Sequence, residues 1–100
     1  MTPPDPARPV WWWLSFADPT LPVGQQFLGV AIVPAPSFLA AVTVAHQLGC
    51  NPGGEVMGFP CRVENVSLEN RCRLLNETEL RTIFPDIRRI DPPRALDDPN

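Results

Sequence analysis

The sequence predicts a small α+β domain: a three-stranded mixed sheet made from a β-hairpin, a crossover helix and a third strand, closed by one or two short C-terminal helices. Three observations predict it. Residues 10–16 and 26–33 are apolar runs of strand length whose successive side chains fall on alternate faces. Residues 38–48 carry a helical apolar stripe bracketed by a start and a stop signal. One hundred residues, 44% hydrophobic with a net charge of −3, supply one core and no second domain. The 14 prolines crowd toward both ends. The packed unit is therefore expected over residues 10–84, between Pro-rich tails at 1–9 and 85–100.

The first strand runs from Val10 to Phe16, with Val10, Trp12, Leu14 and Phe16 on one face and Trp11, Trp13 and Ser15 on the other. Asp18-Pro19 and Pro22 break it, because proline offers no donor to a ladder. The second strand, Gln26 to Val33, sets Leu28, Val30 and Ile32 on one face and Phe27, Gly29, Ala31 and Val33 on the other. Pro34 and Pro36 stop it, and Ser37 is an N-cap for a helix from Phe38 to Leu48, with Gly49 as its left-handed exit. Its stripe is Phe38, Leu39, Val42, Ala45 and Leu48. Asn51-Pro-Gly-Gly54 reads as a turn before a third strand from Glu55 to Phe59, which Pro60 terminates. A strand, helix and strand in that order are expected to cross over right-handedly, which places the third strand parallel to the second.

Ser67 to Leu75 has weaker helical spacing and is read as a short helix. The stronger signal follows: Asn76 as N-cap, Glu79 as the N3 acid of a capping box and Leu75 with Leu80 as a hydrophobic staple open a helix from Glu77 to Phe84. The expected core is Trp12, Leu14, Phe16, Leu28, Val30, Ile32, Phe38, Leu39, Val42, Ala45, Leu48, Val56, Leu75 and Leu80.

Composition removes several function classes. Acids outnumber bases eleven to eight, so the basic surplus that general nucleic-acid binding needs is missing. No run of about 18 apolar residues exists to span a bilayer. The N-terminus lacks a basic flank followed by an apolar segment, so a cytoplasmic location is expected. Cys50, Cys61 and Cys72 match neither a paired disulfide framework nor short zinc-ligand spacing, and reduced thiols with no metal or other cofactor are expected. His46 lies four residues before Cys50, but the helix stop at Gly49 separates them and no third group orients the base, so no enzyme is expected.

Two features remain. Adjacent tryptophans on a strand must occupy both faces, so Trp11 and Trp13 either pack over the small Gly29 and Ala31 of the neighbouring strand, form an exposed aromatic patch, or dimerise. The Asn51–Glu55 turn is either a plain connection or, through the amides of Gly53 and Gly54, an anion cradle. Combined, Trp11, Trp13, Asn51, Gly53, Gly54, Glu55 and Arg62 make a candidate ligand-binding set. The rings would stack on a planar group, the glycine amides would hold an anionic one, and Arg62 would complete the charge match. A small anionic or nucleotide-like ligand would satisfy these contacts. The alternative is a protein-interaction or homodimerisation module that uses the Trp face, with the turn serving only as a turn.

The segments Trp-Trp-Trp-Leu-Ser-Phe-Ala-Asp, Phe-Leu-Gly-Val-Ala-Ile-Val, Ala-His-Gln-Leu-Gly and Asn-Pro-Gly-Gly-Glu, in this order, resemble small uncharacterised proteins of bacteria and their phages. The resemblance covers residues 11–59 and, more loosely, Arg73 to Leu80. It implies no activity by itself. For a phage or mobile-element source it implies an accessory role, such as blocking or sequestering a component of host defence.

Overall fold

The computed structural model describes residues 10–64 and 66–85. Apart from Pro85, the two Pro-rich tails lie outside the described residues. The chain is α+β, as expected, but among the described residues its sheet has four strands and is antiparallel throughout. In chain order these are β1 (Trp11–Ala17), β2 (Phe27–Pro34), α1 (Phe38–Gln47), β3 (Glu55–Cys61), β4 (Leu74–Leu75) and α2 (Glu77–Ile83). In space the strands run β3-β1-β2-β4.

The third strand therefore lies beside the first, antiparallel to it, and not parallel to the second as expected. The handedness rule applies only to a connection that returns in the same direction. Here α1 carries the chain past β1, and β3 comes back along the free side of β1, with Glu55 opposite Ala17 and Cys61 opposite Trp11. Pro60 does not end this strand. Val10 accepts from the Ala35 amide at 2.9 Å, which makes that couple a hydrogen-bonded pair and fixes the alternation across the ladder. Trp12, Leu14 and Phe16 then bond to β2, and Trp11, Trp13, Ser15 and Ala17 to β3. The Cys72 amide reaches Ile32 at 2.8 Å, as this phase requires of the outward side of β2. Pro60 and Pro34 consequently both turn their donorless nitrogens to the outer rims of the sheet, where a proline removes no internal bond.

A bulge separates Phe16/Gly29 from Ala17/Phe27 and leaves Leu28 unpaired. It breaks the expected parity of β2. Trp12, Leu14 and Phe16 share their face with Val33, Ala31 and Gly29, while Trp11 and Trp13 share theirs with Val30 and Ile32. Leu28, the extra residue, joins the cluster on the first face. So Trp11 and Trp13 do not lie over Gly29 and Ala31. Gly29 takes φ +136, and a Cβ there would meet Leu74 Cδ1 at 2.8 Å, so glycine is what lets β4 close on β2.

Each face has its own covering. α1 begins where the Ser37 hydroxyl accepts from the Ala40 amide, and it seats Ala41 and Ala45 on Leu14, Phe16, Ala31 and Val33. Its contact stripe is rotated from the expected one: Leu39 and Leu48 are exposed, and Ala41 and Ala45 are the residues of α1 buried against the sheet. On the other face Val30, Ile32, Val66, Leu75 and Leu80 form a second cluster. The segment 67–75 is not a helix. It forms one 3-10 turn at Leu68–Asn70, passes through Cys72 in the left-handed region at φ 61, and becomes β4. The capping box at Asn76 and Glu79 is present as expected, with mutual bonds of 2.8 and 2.9 Å opening α2.

Candidate functional site

Trp11 and Trp13 are held in the second face, half-buried, and are not a free aromatic patch. The Trp13 ring meets Phe84 edge-on at 5.4 Å, an arrangement that the ring quadrupoles favour. The Arg71 guanidinium stands 5.0 Å over Trp11 and donates to the carbonyls of Val66 at 2.9 Å and Val63 at 2.8 Å. One cation thus pins the loop after β3 onto the first tryptophan. Trp12 faces the other way, meets Phe38 with its ring tilted at 58° and donates its Nε1–H to the Ala35 carbonyl at 2.9 Å.

The expected ligand-binding set is not brought together. Trp11 sits at the Cys61 end of β3 and Glu55 at the Ala17 end, which places them about 20 Å apart along the strand. Arg62 adjoins the Trp11 end, where it forms an exposed ion pair of 3.7 Å with Glu64. The turn at the far end is built for connection. The Asn51 carboxamide accepts the Gly53 amide at 2.8 Å, so that amide is already engaged. Gly54 has φ +76, and a Cβ there would fall on the Ala17 carbonyl oxygen. Its lack of a side chain is what allows β3 to start against β1. The C-terminal end of α1 also lies just before this turn, and its dipole opposes an anion.

His46 is exposed on α1, whereas Cys50 is buried with its amide bonded to Ala45, so the two do not face each other as base and nucleophile. Burial pushes all three thiols above their usual range, and for Cys50 the nearby Cys72 adds to the effect. Such thiols remain protonated and weakly nucleophilic at neutral pH. Among the described residues no group of three or more His, Cys, Asp or Glu side chains could hold a metal ion, and no helix is long and apolar enough to cross a membrane.

What sequence reasoning missed is the place of β3, which runs on through Pro60 and lies beside β1 at the edge of the sheet. Among the described residues its outer rim has no partner strand. Its Trp-face side chains are Glu55, Met57, Phe59 and Cys61, opposite Ala17, Ser15, Trp13 and Trp11. Phe59 is 49% exposed while the Trp13 ring beside it is half-buried, so the uncovered part of this face lies on the rim strand and not on the tryptophans themselves. The signal was there to read: a proline inside a strand-like run marks an edge strand. A cavity of about 440 Å³ opens next to it, lined by Arg62, Glu64, Val66 and Phe84. Comparison with protein-family models, with curated proteins and with solved structures finds no match to the chain.

Proposed function

We propose that the chain is a non-enzymatic protein-interaction module whose docking surface is the uncovered margin of the Trp face, carried by β3. The half-exposed Phe59, continuous with the Trp13–Phe84 cluster, is the observation that supports it most. An aromatic anchor with a rigid base, at the edge of an unpartnered strand, matches the way interface hot spots and strand addition work. Behind Phe59, the Trp13–Phe84 contact holds the surface in one shape, which lowers the ordering cost of binding. Blocking a component of host defence, the role that the resemblance implies, is the kind of task such a module would perform.

The test is a photocrosslinking amino acid at position 59, with the same group at Val23 as control, since Val23 is 93% exposed and remote from β3 in sequence. A discrete adduct specific to position 59 is expected in cells. Equal or absent labelling at the two positions overturns the reading.

A second reading is favoured by the cavity: a small anionic or nucleotide-like ligand stacked on Phe84, with Arg62 released from Glu64 to meet the charge. A ligand at about 100 times its Kd raises folding stability by about 2.7 kcal/mol. A nucleotide-induced melting shift that Arg62→Ala abolishes supports this reading, and a shift unchanged by that substitution removes Arg62 from it.

A further inference from the structure

Resting on the reading of β3 as the docking strand, we infer that its partner is a second copy of this chain, paired β3 to β3 and antiparallel about a two-fold axis at Met57. The argument comes from the backbone groups on the rim. Glu55, Met57, Phe59 and Cys61 direct their amides and carbonyls inward to β1, as the ladder phase requires. Val56, Gly58 and Pro60 direct theirs outward. Of these, only Val56 and Gly58 have an N–H to give.

A foreign strand running the length of β3 would set a carbonyl against Pro60, where nothing donates. Two copies related at Met57 avoid that mismatch. Val56 of each copy lies opposite Gly58 of the other, so both donors on both copies are satisfied and four hydrogen bonds form. Pro60 then falls opposite Gly54, already in the turn at φ +76.

The side chains agree with this register. Residues directly opposite in an antiparallel pair share a face, so Met57 meets Met57 on the Trp face at the axis. Thioether side chains adapt readily to one another. Phe59 lies diagonally beside the partner copy's Met57 and opposite its Glu55, which brings the half-exposed ring under cover. Val56 meets Gly58 on the α1 face, a pairing with little bulk. The area is small, so the association belongs with transient interfaces and not with obligate ones.

Sedimentation of the full chain from micromolar concentration to about 1 mM, the range of weak complexes, is the first measurement. A monomer–dimer equilibrium is expected. Val56→Pro removes an outward donor that makes no bond among the described residues, and is expected to leave a folded monomer at every concentration. Should that variant fail to fold, Met57→Asp puts two like charges at the axis and is expected to dissociate the dimer. Met57→Cys provides a positive readout. Opposite residues at the axis lie within disulfide range, so mild oxidation is expected to give a disulfide-linked dimer, which Glu55→Cys does not. A strict monomer, or a dimer that Val56→Pro and Met57→Asp both leave intact, overturns the inference. So does a monomer whose Val56 and Gly58 amides exchange slowly, because another part of the same chain would then occupy the rim. Position-59 crosslinks to a different protein would overturn the self-pairing alone and leave the docking surface standing.

Discussion

On the α1 face the covering is a ten-residue helix whose fully buried Ala41 and Ala45 come down on Leu14, Phe16, Ala31 and Val33, so closure depends on backbone proximity and close fit. On the opposite face the helix α2 is only seven residues long, and Trp11, Trp13 and Phe84 fill the remaining space under a loop tied down by Arg71. The first face is closed by small residues on a long element, the second by large residues and one cation on short elements. The difference teaches where a small domain can leave a surface unfinished. A long helix seals its side, whereas aromatic side chains on short segments seal unevenly and leave Phe59 half outside.

Substitutions can break each side of this comparison. The largest effect is expected from Leu14→Ala on the α1 face and Leu80→Ala on the Trp face, both fully buried, each costing about 2–5 kcal/mol in denaturant unfolding. Equal losses would show that both layers fold as one cooperative unit. Ala45→Leu is expected to cost about 1–3 kcal/mol by overpacking, because Ala45 is fully buried against the sheet. Arg71→Ala on the other face should cost a similar amount, about 1.5–3 kcal/mol for charge-assisted bonds. It should also speed amide exchange across 66–72 while leaving α1 protected. Uniform acceleration throughout the chain would refute the tether. Asn76→Ala removes the cap of α2 and should cost about 1 kcal/mol.

The smallest effect is that of pH. Bonds from Asn76 and Arg73 hold the Glu79 carboxyl below its ordinary 4.5, and the Thr20 hydroxyl and amide do the same for Asp18 below 3.8. A carboxyl depressed in the folded state adds stability above its unfolded value and loses it as pH falls, so the melting temperature should decline slightly below about pH 4.5. The thiols run the other way. Their raised values leave stability intact below pH 9.0 and reduce it above, which a melt series across pH 8–10 would detect.

The local elements were legible because their signals are local. Ser37, Gly49, Asn76 and Glu79 do in the fold what their types predict at those positions. Strand order was not legible, because nothing within β3 distinguishes an antiparallel return beside β1 from a parallel one beside β2. The bulge at Leu28 hid the facing of β2, since one inserted residue swaps the parity of everything beyond it. β4 was read as helix because Leu68, Cys72 and Leu75 have helical spacing, yet two of its residues are enough to pair with β2 once Gly29 admits them. Of the expected ligand-binding set, Trp11, Trp13 and Arg62 lie toward one end of β3 and the Asn51–Glu55 turn at the other. Periodicity assigns residues to faces and carries no information on which end of a strand meets which turn.

Pro34 and Pro60 sit opposite the neighbouring Trp11 and Trp12, one on each side of β1. The tryptophan-bearing end of the sheet is thereby barred from lateral growth in either direction. A chain with this much aromatic and aliphatic β-sequence would otherwise be a seed for fibrils. The two imino acids act as stoppers, and replacing both with valine is the change that would open this end of the sheet to strand addition and filament growth.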